Sequence, residues 1–96
     1  MFTKIGPDTA QSDSGFVLEV TAPYGPGGAL SIEYRESEKL LRGSLEPVWS
    51  MSAGINSRWE PPFENEPITA EKRRQIQSNI LEALDFLGYH YFTFND

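Results

Sequence analysis

The sequence predicts an α+β fold: an antiparallel meander of four to five strands with one C-terminal helix packed across one face. Two observations carry this. Between residues 16 and 55, apolar and polar side chains alternate in short runs separated by turn-formers, the period-two signature of half-buried strands. Between 69 and 87, apolar residues instead recur every three or four positions, and a glycine follows.

In chain order, residues 1–14 are polar and predict an irregular N-terminal segment, with Phe2 and Ile5 resting on the body. "GFVLEVTAP" alternates, placing Phe16, Leu18, Val20 and Ala22 inward and Val17, Glu19 and Thr21 outward. "YGPGG", with four turn-formers in five residues, closes a hairpin or a longer loop. "ALSIEYRE" is a second strand, with Leu30, Ile32 and Tyr34 inward and Ser31, Glu33 and Arg35 outward. After the polar turn "ESEK", "LLRGSLE" is a third, whose Gly43 marks either a bulge or a close backbone approach. "VWSMSAGI" sets Trp49, Met51, Ala53 and Ile55 against Val48, Ser50 and Ser52. Strands joined in sequence by a few residues pair as an antiparallel meander.

Residues 56–68 read as a loop, since its three prolines fit neither a helix interior nor a central strand. Thr69 is the expected N-cap of a helix over about 69–87, with Glu71 in its positive first turn. Ile76, Ile80, Ala83, Leu84 and Leu87 form its apolar stripe, and Gly88 supplies a left-handed stop. The tail "YHYFTF" alternates and predicts a fifth, aromatic-rich strand over 89–94 that returns to the sheet. The 96 residues make a single domain, 1–96, whose thin margins demand one contiguous core.

Composition narrows the function classes. With no cysteine, neither a disulfide framework nor a thiolate metal site can form, which suits a reducing compartment. No apolar run approaches the ~20 residues that span a bilayer, and "MFTKIGPDTAQSDSG" lacks the apolar core of a secretory signal. The expected location is the cytoplasm. Fourteen acids against eight bases give a formal charge of −6. Such a surface repels nucleic acid and anionic membrane and attracts cationic partners, or simply keeps the chain soluble.

Catalytic patterns are sparse. No G-x-S-x-G elbow occurs, and the lone His90 lies in the aromatic tail, where a surface or rim role competes with that of a base. "YGPGG" lacks the Lys-Ser/Thr of a phosphate loop. Glu60, Glu64 and Glu66 lack the spacing of a hard-cation loop. The expectation is therefore a non-enzyme that needs no cofactor or metal.

Two features stand apart. Lys72, Arg73 and Arg74 sit where the helix dipole opposes cations, so they either pair with nearby acids or face a partner. In "NSRWEPPFENEPITAEKRR", Trp59 and Phe63 bracket Pro61 and Pro62, with Glu60, Glu64 and Glu66 between and after them. Rigid aromatics among charges have the composition of interface hot spots, with the three glutamates exposed. Alternatively, Trp59 plugs one end of the core while the prolines steer the chain toward the helix.

At "SRWEPPFENEPITAEKRRQIQSNILEALDFLG" the sequence resembles small immunity proteins of bacterial polymorphic-toxin and contact-dependent inhibition systems. The Trp-Glu-Pro-Pro element and the "ITAEKRRQIQSNILEAL-F-G" helix carry the likeness, and "LSIEYRES" and "LRGSLEPVW" fit it. It spans roughly residues 28–88. The resemblance implies a non-catalytic binder that neutralises a cognate toxin domain, commonly a nuclease, by covering its active site or locking its shape. If such a binder works through an acidic face, Trp59, Glu60, Glu64 and Glu66 are the expected first contacts, with Glu33 and Glu36 as a second patch. It also allows Trp59–Pro62 to be shared scaffold. The partner expected is the toxin, bound by a monomer or weak dimer. A second reading is a small structural or regulatory module that self-associates through the aromatic strand at 89–94. A third is a small hydrolase or ligand-binding protein, which would need His90 beside two carboxylates.

Overall fold

The computed structural model describes residues 1–22, 30–46, 51–90 and 92–94. Its strands are β1 (Phe2–Gly6), β2 (Thr9–Ser12), β3 (Phe16–Ala22), β4 (Leu30–Glu36), β5 (Lys39–Glu46), β6 (Ser52–Ile55) and β7 (Thr93–Phe94). The helix α1 (Ala70–Phe86) lies between β6 and β7. The strands form one sheet in sequence order. Every neighbouring pair from β1 to β6 is antiparallel, and β7 joins β6 in parallel. A parallel neighbour requires a crossover, and α1 is that crossover. The architecture is therefore α+β and mostly antiparallel, with seven strands among the described residues rather than four or five. Expectations for the 24–28 turn, Val48, Trp49, Ser50 and Tyr91 lie outside those residues, as does the side chain of Ala22.

The N-terminal segment is the main departure. Residues expected to be irregular form the β1–β2 hairpin, turning at Pro7 and at Asp8, whose φ is +53°. Its core-side positions are Phe2, Lys4, Ala10 and Ser12, which pair Phe2 with Ser12 and Lys4 with Ala10. A lysine, an alanine and a serine on the inner face erase the hydrophobic alternation that marks the central strands. The Asp8 carbonyl accepts the Val20 N–H at 2.9 Å, and its carboxylate accepts the Tyr89 hydroxyl at 3.1 Å. The turn is thus tied to both β3 and the end of the helix.

The central strands follow the alternation. Phe16, Leu18, Val20, Leu30, Ile32, Tyr34, Leu41 and Leu45 are buried on one side, while Thr21, Ser31, Arg35, Arg42 and Ser44 are exposed on the other. Met51, expected inward, precedes β6 and is exposed, with φ at +49°. Gly43 marks a close approach and not a bulge. Its pairing with both neighbours is regular, and a Cβ there would stand 2.2 Å from the Gly54 carbonyl oxygen.

Helix α1 lays Ile76, Ile80, Ala83 and Leu84 on this core, with Leu87 half-buried beside them. At its start, the Thr69 hydroxyl accepts the Lys72 N–H at 3.1 Å. At its end, Gly88 takes φ +94°, its N–H donates to Asp85 O, and Tyr89 N–H donates to Leu84 O. That pair of bonds is a Schellman motif, which satisfies carbonyls the helix leaves open. No helix among the described residues is long and apolar enough to cross a membrane.

The tail differs from expectation. Among the described residues of the tail, Thr93 and Phe94 are in strand, while Tyr89, Phe92 and Phe94 are half-buried against the core. Packing therefore covers part of each of these three aromatics.

Candidate functional site

The loop from 56 to 68 is a strap fastened to β5. Asn56 N–H donates to Arg42 O and Glu60 N–H to Leu40 O, both at 2.8 Å. Tight turns follow, in which Phe63 N–H reaches Glu60 O and Glu66 N–H reaches Phe63 O. Trp59 is 3% exposed and belongs to the core. It offers no surface to a partner, so its role as a contact is replaced by that of a plug. The ammonium of Lys39 stands 5.6 Å from the Trp59 ring centroid and 6.0 Å from that of Phe63, and it pairs with Glu66. One cation therefore clips both aromatics and the carboxylate of the strap to β5.

The glutamates of the two expected patches, Glu60, Glu64 and Glu66 in one and Glu33 and Glu36 in the other, fall into other groupings. Glu33 and Glu60 lie on the side of the sheet away from the helix. Glu33 stands directly across from Arg42, and its two oxygens reach Arg42 Nη1 at 3.1 Å and Arg35 Nη2 at 2.7 Å. Arg42 Nε meets Glu60 at 3.3 Å, and Arg35 Nη1 meets Glu19 at 3.4 Å. The result is a continuous lattice, Glu19–Arg35–Glu33–Arg42–Glu60, laid across β3, β4, β5 and the strap. Glu33, with a side chain 13% exposed, is its centre and is itself mostly covered.

Glu36 lies by the helix. It accepts the Tyr34 hydroxyl at 2.9 Å and pairs with Lys72 Nζ at 2.6 Å, while Asn79 Nδ2 donates to Tyr34 Oη at 3.1 Å. Burial pushes the Tyr34 phenol well above its ordinary pKa; the Glu36 carboxylate adds to that rise, and the Asn79 hydrogen bond opposes it. Glu66 is exposed, but Glu64 is half-buried, with Oε2 enclosed and lacking a hydrogen-bond partner. Its expected full exposure is corrected by the fold of the strap around it.

The basic cluster divides as well. Lys72 pairs with Glu36, while Arg73 donates to Ile55 O and Asn56 O at 3.1 Å each, bracing the end of β6. Arg74 is exposed. Lys39, Arg35 and Arg42 are central residues that were not among the expected contacts. Their signal was the strand pattern: Arg42 is outward on β5 opposite the outward Glu33 of β4.

Among the described residues, the surface carries shallow clefts of about 210, 340 and 350 Å³. His90 lines none of the three; it is exposed and pairs with Asp85 at the helix end. Among the described residues, no three His, Asp or Glu side chains are grouped to hold a metal ion. The arrangement can present a flat, ordered pattern of charge. Comparison with known protein families, curated proteins and solved structures finds no match to this chain.

Proposed function

We propose that this chain is an immunity protein, which binds a cognate toxin domain one-to-one and neutralises it without catalysis. The observation that carries the reading is the charge lattice on the helix-free side of the sheet. Five long side chains are already held in place there, so little freedom remains to be lost on docking. Arginines within an ordered, partly desolvated setting are common binding anchors. The likeness of residues 28–88 to immunity proteins supports the same reading. So does the formal charge of −6, which steers a basic partner such as the groove of a nuclease toward this chain.

In this reading Glu33, Glu60, Arg35 and Arg42 meet the toxin, Glu66 lies at the rim, and Trp59, Glu36 and Glu64 hold the surface from beneath. The direct test is co-expression with the toxin domain encoded beside this chain. Growth should be rescued by the native protein and lost with the Arg42→Glu variant. Cells that die whether or not the native protein is present would refute the proposal.

A further inference from the structure

The large apolar side chains most open to solvent among the described residues are Met1 at 93%, Ile5 at 54%, Met51 at 46% and Phe86 at 45%. Three of the four flank β1, Met1 and Ile5 on one side of the sheet and Phe86 on the other. Ile5 is in β1, Met1 precedes it, and the Phe86 ring stacks on the Phe2 ring of β1 at 5.5 Å. Among the described residues, that strand is the end of the sheet and has a neighbour on one side only.

The backbone of β1 has a definite polarity. Met1 O accepts the Asp13 N–H from the β2 side, at 3.1 Å. Successive residues of a strand turn their N–H and C=O to opposite edges, so Met1 and Thr3 face β2. Phe2 and Lys4 then direct theirs outward to the free edge, each with one donor and one acceptor. The side chains of Phe2 and Lys4 are both on the helix side, opposite Ser12 and Ala10.

We propose that two copies of this chain pair through β1, antiparallel, about a two-fold axis at Thr3. This register is self-complementary in three respects. Phe2 lies opposite Lys4 of the second copy, so the outward donors and acceptors of both meet their counterparts. On the helix side, each Lys4 ammonium comes over the Phe2–Phe86 aromatic pair of the other copy, where a cation is attracted to the ring faces. Lys4 makes no ion pair among the described residues, so this contact displaces none. On the other side, the exposed Met1 falls opposite the exposed Ile5.

A lysine and a bulge normally shield a sheet edge from pairing. Here the irregularity falls at Ile5, one residue past Lys4, so the main-chain bonds of Phe2 and Lys4 are complete before it and only the outer Met1–Ile5 contact adjoins it. The contact is short, and the dimer it makes is weak and isologous. It does not depend on the toxin-binding reading, and it leaves the Glu33–Arg42 face open.

Sedimentation velocity over a micromolar-to-millimolar series of the full chain tests the proposal. The expected result is a shift from one to two chain masses as concentration rises. Over the same series, the amides of Phe2 and Lys4 should gain protection from hydrogen exchange. Lys4→Pro removes both an outward N–H and the ammonium that faces the second copy, a change edge strands tolerate, and should leave a folded monomer. Ile5→Lys, at an exposed position, should weaken association at least tenfold with its thermal midpoint unchanged, and it decides the matter if Lys4→Pro fails to fold. A chain that stays monomeric throughout overturns the proposal. So does a dimer that Ile5→Lys leaves intact, or one in which the Phe2 and Lys4 amides stay unprotected.

Discussion

Lys39 holds Trp59 against the sheet: its ammonium lies 5.6 Å from the centroid of the buried ring while pairing with Glu66 of the same strap. This contact explains how a proline-rich stretch with two large aromatics stays folded over β5. Lys39→Met keeps the aliphatic stem and removes the charge, and should destabilise by about 1 kcal/mol. Trp59→Ala empties a core site and should lose about 3–5 kcal/mol. Urea midpoints of the two variants check the order; an equal loss for both would contradict the plug role of Trp59.

Gly43 and Gly54 make a matched pair for a second test. A Cβ on Gly43 would stand 2.2 Å from the Gly54 backbone oxygen, whereas nothing lies within 4 Å of a Cβ on Gly54. Backbone cannot yield as a side-chain tip can, so Gly43→Ala should lose about 2–3 kcal/mol. Gly54→Ala should be neutral or slightly stabilising, because the unfolded chain loses freedom. Chemical denaturation of both variants measures the contrast.

The Tyr34 phenol predicts an alkaline transition. Burial raises its folded pKa above the unfolded value near ~10. The neutral phenol therefore contributes stability that is complete below pH ~10 and is lost as pH climbs from there toward the folded pKa. Ultraviolet absorbance should show Tyr34 ionising together with unfolding, and Tyr34→Phe should abolish that phase. At neutral pH the same variant should lose about 1–2 kcal/mol, because Asn79 and Glu36 each lose a partner.

Glu33 separates binding from stability. Its carboxylate orients both Arg35 and Arg42, yet the two arginines are exposed, so each pair contributes about 0–1 kcal/mol to folding. Glu33→Gln should therefore shift the thermal midpoint little. The proposed toxin complex should weaken about 10–100-fold, chiefly in its dissociation rate, since the guanidinium groups lose their fixed orientation. Calorimetry beside surface-binding kinetics reads the two effects; a large stability loss with unchanged affinity would assign the lattice to folding alone.

Much of the fold was legible in the residues. Phe16–Val20, Leu30–Tyr34 and Leu41–Leu45 each alternate over a strand's length, and the stripe from Ile76 to Leu84 has the helical period. The caps at Thr69 and Gly88 act within one turn of themselves, so local chemistry alone sets the helix ends. The β1–β2 hairpin was hidden because Ala10 and Ser12 are small enough to be buried without looking apolar. A strand at a sheet's end needs little hydrophobic cover, and so leaves little trace in sequence.

The candidate site divides along the same line. Sequence alone determined that this is an acidic, cysteine-free α+β chain, with an aromatic, proline-stiffened connection leading into a capped helix. Those properties follow from composition and from neighbours within a few positions. Only the tertiary structure decided that Trp59 faces the core, that Lys39 meets Glu66, and that Glu33 answers to Arg35 and Arg42 while Glu36 answers to Lys72. Strand register and helix docking bring those partners together across long stretches of chain. The sign and exposure of a surface are sums over such partners, which no single segment contains.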